Sequence, residues 1–288
     1  MKTKFNKKVM IIIIGMTIII SLLVLGGLNM MRQINEEKRV SMDEINTIQV
    51  DMTSVGVHII RAEASNEIKV DFHGKAMQEI KLVSETENKT LFVTVQRKHE
   101  NLPLYEDVVL DVYIPKEYKK DISIKMLSGD VKIDSFNFAN FTLDTASGKL
   151  EAEQLKADKI SINSSSGKLE IKKIDTKILD IKGKSSAINI NECMANEAGI
   201  ETSSGKVLVS YKEFENQNIN IATASGNVTL EIPEAAEFLV EAKTSSGKFK
   251  SDFPIKTTDK KDIKGQIGTK NSKVSLKTSS GSISILKK

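Results

Sequence analysis

The stretch TSSGKV, Thr202–Val207, places Ser203 and Lys206 at the S-x-x-K spacing of a serine acyl-transferase. In that chemistry the lysine takes the hydroxyl proton and frees the oxygen to attack a carbonyl. The neighbouring glycine adds the look of a phosphate cradle. Yet the chain also contains LSGDV, TASGKL, SSSGKL, TASGNV, TSSGKF and TSSGSI. The same pair recurs at Ser165 with Lys168 and at Ser245 with Lys248, and the partner motifs S-D-N and K-T-G are absent. A nucleophile is needed once, so its multiplication argues for a building unit.

Spacing supports the building unit. With the turn glycine as a reference slot, Gly129, Gly148, Gly167, Ser186, Gly205, Gly226 and Gly247 follow at intervals of 19, 19, 19, 19, 21 and 21. Ser272 and Gly281 head two further copies only nine residues apart. Recurrence every ~20 residues is the mark of stacked repeats. Apolar residues sit two and four places after the slot, as in Val207 and Val209, and seven and five before it, as in Ile160 and Ile162. That is period two, so each unit reads as strand, tight turn, strand and return loop. The expected fold is all-β: a β-solenoid with about 19–21 residues per coil and SSGK turns.

The structural turn residues are then Gly129, Gly148, Gly167, Gly205, Gly226, Gly247 and Gly281, where positive φ is expected. Ser147, Ser166, Ser204, Ser225, Ser246 and Ser280 precede six of them, and stacking would align these hydroxyls into a ladder bonded to the turns. INTIQVDMTSVGVHII fits the same frame with Val55 in the slot. EIKVDF, TLFVTVQ and DVVLDVYIP read as strands of a cap. The last hairpin is expected to close the far end, preceded by a charged loop over 254–268.

Other chemistry is sparse. His58, His73 and His99 lack metal-ligand spacing, and His58 should point to solvent. Cys193 is the single cysteine, which excludes an internal disulfide, and it has no cation beside it to make it reactive. Walker, dinucleotide and calcium-repeat glycine patterns are missing. No catalytic, metal or cofactor residue is assigned. A β-helix lyase or glycoside hydrolase is the alternative, and Glu151 with Glu170 is its candidate acid pair. Sugar platforms favour aromatic rings, and this chain has no Trp and four Tyr. Leu208, Val209, Tyr211 and Phe214 mark the one coil with more apolar residues than the inward pattern needs.

The N-terminus sets the location. MKTKFNKK carries four lysines, and Val9–Leu28 has no charge over twenty residues, about 30 Å as a helix. This reads as a single-pass signal-anchor after a cytoplasmic tail (1–8). A juxtamembrane linker (29–44), a cap region (45–121) and the repeats (122–288) would lie outside the cytoplasm. The chain has 42 basic and 38 acidic residues; without the four tail lysines the balance is 38 to 38. The exported part therefore has no net pull toward nucleic acid. A membrane or envelope protein is the expected partner.

IPKEYKKDISIKMLSGDVKI and its echo IPEAAEFLVEAKTSSGKFK set Pro115 and Pro233 fourteen residues before Gly129 and Gly247. With the run of SSGK turns, this resembles the bacterial putative-adhesin family of unknown function that includes LiaG-like membrane proteins. The resemblance covers roughly residues 41 to 288. It implies a cell-surface β-solenoid in settings linked to envelope stress, and brings no catalytic residue with it.

Overall fold

A computed structural model describes residues 31–99, 105–255, 259, 261–269 and 272–288. The proposed anchor at 9–28 lies outside the described residues. Among the described residues no helix is long and apolar enough to cross a membrane. The described residues are all-β, with one 3-10 turn among them at Met42–Glu44.

The strands in chain order are β1 (Arg32–Ser41), β2 (Thr47–Met52), β3 (Gly56–Ala62), β4 (Glu67–Ala76), β5 (Ile80–Glu87), β6 (Thr90–Arg97) and β7 (Glu106–Pro115). They continue as β8 (Asp121–Met126), β9 (Val131–Asn137), β10 (Asn140–Thr145), β11 (Lys149–Ser204), β12 (Val207–Tyr211) and β13 (Asn218–Ser225). The last are β14 (Val228–Ile232), β15 (Phe238–Thr244), β16 (Phe249–Ser251), β17 (Asp262–Ile267), β18 (Ser272–Ser280) and β19 (Ile283–Lys287).

Pairing is parallel and keeps the sequence period. Phe141 lies against Ile122 and Ile160, and Leu150 against Val131, each 19 residues away. Val207 lies against Val228, 21 away. β11 is continuous over 56 residues and winds through successive layers. A straight strand of that length would run about 185 Å. Its Leu150 pairs with β9, its Ile160 with β10, its Ile188 with β12 and its Ile200 with β13. The return segments pair as well, Leu155 on Phe136, so they are a third row of strands and not free loops.

Arms before the slot make one ladder, running from β5 and β6 through β2, β8 and β10 to β13, β18, β15 and β17. Arms after it make a second, from β1, β4 and β7 through β3 and β9 to β12, β14, β19 and β16. Alternate residues of both point into one core; Ile48, Ile124, Leu143, Ile162 and Ile181 are buried there. The first coil sits in the expected frame: Ile48 pairs with Ile122 and Val57 with Val131, which sets Val55 opposite Gly129. The cap changes to antiparallel pairing, β5 on β6 and β1 on β4 on β7. The change of direction ends the parallel register that the repeats share. Glu36 Oε2 on β1 also accepts the Leu82 N–H of β5 at 2.9 Å, so the two edges meet.

Three expectations change. Residues 32–41, read as linker, are a strand hydrogen-bonded along its whole length to β4. The charged segment 254–268 contains β17, which lies antiparallel on β15. The last hairpin does not close the far end. β18 inserts between β13 and β15, and β19 between β14 and β16. The physical reason is turn geometry: a Cβ on Gly281 would lie 2.0 Å from Gly226 O, and one on Gly247 1.6 Å from Gly281 O. The terminal copy keeps the tight turn and fits between two of its own kind, while the antiparallel β17 seals the outer layer.

Candidate interaction surface

The turns place the surface features. Gly129, Gly148, Gly167, Gly205, Gly226 and Gly281 have φ between 116° and 156°. Gly247 lies outside that range, and close approach of Gly281 O is what demands a glycine there. Ser186 takes the slot as a buried residue, its Oγ donating to Ser164 O at 3.1 Å.

Most of the hydroxyls that hold the turns lie three residues before the slot; one residue before it, Ser128 donates to Thr53 O at 3.2 Å. Thr145, Ser164 and Thr202 donate to the carbonyls of Ser147, Ser166 and Ser204 at 3.0, 3.2 and 2.9 Å. Thr278 and Thr244 reach into adjacent layers, to Gly226 O and Gly281 O at 3.1 and 2.8 Å. Ser147, Ser166, Ser204, Ser225, Ser246 and Ser280 are exposed at the rim. A strand alternates faces, so the residue before the slot points outward while the one two earlier points in.

Three layers depart from this hydroxyl row: Met52, Met126 and Gly183 replace the threonine. A groove of about 690 Å3 runs along the turn edge there. Met52, Met126, Leu127 and Ala146 give it an apolar wall, and Gly183 leaves it room. Leu127 is 59% exposed. Asp51, Lys125, Asp144, Asn163 and Lys182 form an alternating polar row beside it. Asn163 Nδ2 donates to Asp144 Oδ1 at 2.6 Å, and Gln49 Nε2 to Asp51 Oδ2 at 2.9 Å; Asp51 Oδ1 is buried without a partner. From Thr94 to Lys184 the groove crosses six layers, about 24 Å. The signal for it was in the sequence: MLSG stands where other coils read TASG or TSSG.

The residues singled out for chemistry fall elsewhere. Glu151 and Glu170 are neighbours, but Lys149 Nζ bridges them. Hydrogen bonds from Lys149 hold both carboxyls below their ordinary range, Glu170 with help from Lys168, so both stay ionised. A general acid for glycoside cleavage needs the opposite shift. Ser203 and Lys206 are exposed on one ordinary turn. Burial pushes the Cys193 thiol up to about 11, against a weaker opposing contact from the Tyr211 hydroxyl. Tyr211, Phe214 and Val209 are buried: the surplus apolar residues fill core left by small Cys193 and Ala195. Tyr211, Phe214, Phe238 and Phe253 continue edge-to-face, with centroids 5.2–6.0 Å apart.

Sequence reading missed one convergence. His58 Nδ1 and His73 Nε2 each lie 3.1 Å from an oxygen of Asp111, whose side chain is only 13% exposed. Parallel pairing of β3 with β7 and antiparallel pairing of β4 with β7 bring them together from 38 and 53 residues away. Among the described residues no group of three or more His, Cys, Asp or Glu is arranged to hold a metal ion.

The profile of the Toastrack family, DUF4097, matches residues 45–286. This chain belongs to the Toastrack family. The family and the structural neighbours agree with the putative-adhesin resemblance in the sequence. A putative adhesin of Parabacteroides merdae is similar at 14% identity and TM-score 0.53, over 87% of this chain and 95% of that one. A putative adhesin of Bacteroides fragilis is similar at 13% identity and TM-score 0.50, over 88% and 97%. A protein of Parabacteroides distasonis described as a putative lipid binding protein is similar at 16% identity and TM-score 0.48, over 87% and 96%. Identities this low speak for the fold alone. No curated protein matches the chain. The fold is therefore shared with two structures described as putative adhesins.

Proposed function

We propose that this Toastrack chain is a membrane-anchored, extracytoplasmic β-solenoid that acts as a non-catalytic, adhesin-like scaffold of the bacterial envelope. The family resemblance associates it with envelope-stress signalling. The observation that carries the reading is the turn-edge groove. It is long, apolar along one wall, flanked by charges of both signs, and built where the hydroxyl row is interrupted. Such a surface suits an extended protein or wall segment better than a small substrate. Uncharged Val9–Leu28 behind a lysine-rich tail supports the anchor.

The test uses the full chain in its native membrane. A photo-crosslinker at Leu127 is expected to give one discrete adduct, lost on Lys125→Glu with Lys182→Glu. A reporter after Lys288 is expected to be active only outside the cytoplasm. Cytoplasmic protection of the C-terminus, or adducts indifferent to the groove charges, would refute this function. The enzyme alternative predicts cleavage of a wall or host glycan, abolished by Glu151→Gln with Glu170→Gln. The lysine bridge between those carboxylates speaks against it.

A further inference from the structure

Strand β1 begins at Arg32 and is held in register from its first residue, Arg32 opposite Ala76. Only residues 29–31 separate it from Leu28, the end of the uncharged segment. Four backbone steps reach about 14 Å at most. The corner of the domain bearing Arg32 is therefore confined to the neighbourhood of whatever that segment enters.

That corner has a distinct composition. Lys98 N–H donates to Glu79 O at 3.1 Å, and Lys81 Nζ lies 3.0 Å from Glu79 Oε1. Lys81 holds the Glu79 carboxyl below its ordinary range, and Lys98 and Arg32 pull the same way. Three cations thus surround one acid. Lys75 faces Asp107 across the β4–β7 pair. Arg97 and Glu106 neutralise each other through a two-pronged contact at 2.9–3.1 Å. Glu37 is paired with Arg39, while Glu36 accepts the Leu82 N–H and still attracts Lys81. Among the described residues the corner therefore has Arg32, Lys75, Lys81, Arg97 and Lys98 against Glu36, Glu79, Glu106 and Asp107, an excess of one cation. Tyr105 stands beside it, 56% exposed, with its carbonyl accepting the Met77 N–H at 3.0 Å. An exposed tyrosine among cations is the composition of a membrane-water interface.

We infer that the cap end of the domain seats on the bilayer, with Arg32, Lys81 and Lys98 binding anionic lipid headgroups and Tyr105 entering the interface. This rests on the anchor reading above. The stack then starts at the membrane, and its C-terminal layers point away. Charge complementarity and the short tether both select a lipid surface over a protein partner at this corner.

The experiment uses the full chain in lipid nanodiscs of phosphatidylcholine containing a headgroup spin label, with or without one-third phosphatidylglycerol. A fluorophore is placed at His99→Cys, exposed beside Lys98 and far along the chain from the tether, or at Lys250→Cys in the far layer; buried Cys193 does not compete. Quenching at position 99 is expected to exceed that at 250 at least threefold. It should strengthen with phosphatidylglycerol and fall to the level at 250 with Arg32→Glu, Lys81→Glu and Lys98→Glu together, or in 0.5 M salt. Equal quenching at the two positions, or quenching indifferent to both lipid charge and the triple change, overturns the inference while leaving the anchor intact. A chain that does not enter nanodiscs at all overturns both.

Discussion

Replacing Gly205 by alanine measures how tightly the layers are stacked. Gly205 has φ 134°, and a Cβ there would lie 2.2 Å from Ser186 O in the layer before it. Ordinary contact begins near 3.4 Å, so the layers must part by about 1.2 Å (3.4 minus 2.2), a quarter of the ~4.8 Å spacing. Backbone strain at such φ costs about 1–3 kcal/mol and overpacking about 1–3 more. The expected loss is about 4 kcal/mol, which lowers the urea midpoint by roughly 1–2 M for a domain of this size. Gly56→Ala is the matched control. Its Cβ would meet Asp130 O at an ordinary 3.8 Å, and its φ is not left-handed. That change should be neutral, or stabilising by up to about 1 kcal/mol. Equal midpoints for Gly205→Ala and Gly56→Ala in urea unfolding followed by circular dichroism would refute the stacked-turn account.

Ser186→Ala removes a buried hydroxyl bonded to Ser164 O and Oγ, and should cost about 1 kcal/mol in the same assay. Cys193 should resist thiol reagents until the chain unfolds. Its thiol is raised on folding, from 9.0 to about 11, so the folded state holds the proton longer. Stability should therefore be flat with respect to this group below about pH 9 and fall between about pH 9 and 11, a decline that Cys193→Ala removes. Glu151→Gln with Glu170→Gln should leave folding and groove crosslinking unchanged, because both carboxylates are solvent-facing partners of Lys149.

Period and turn chemistry were legible because they are local. Nineteen-residue spacing fixed which residues stack, and Val55 found its slot although the following cap interrupts the count. Layer order was not legible. Nothing local in TSSGSI distinguishes docking on the preceding coil from docking between two coils, because every turn offers the same face. The cap was seen as strands, but its antiparallel pairing depends on contacts far apart in sequence. For the same reason His58, His73 and Asp111 looked unrelated. The serine ladder was misplaced by two residues because hydroxyls occupy both positions of the turn, and only the pleat decides which faces inward. The groove lay in the departures from consensus at Met52, Met126 and Gly183, which a search for agreement passes over.

The place of β18 and β19 has a consequence for assembly. The chain emerges from its N-terminus, so β15 and β16 exist before the two strands that must separate them from β13 and β14. Until β18 and β19 arrive, β15 carries the same TSSG turn and has the berth that belongs to β18 open to it. The layer of β15 and β16 therefore stays unlatched until this later hairpin is wedged beneath it.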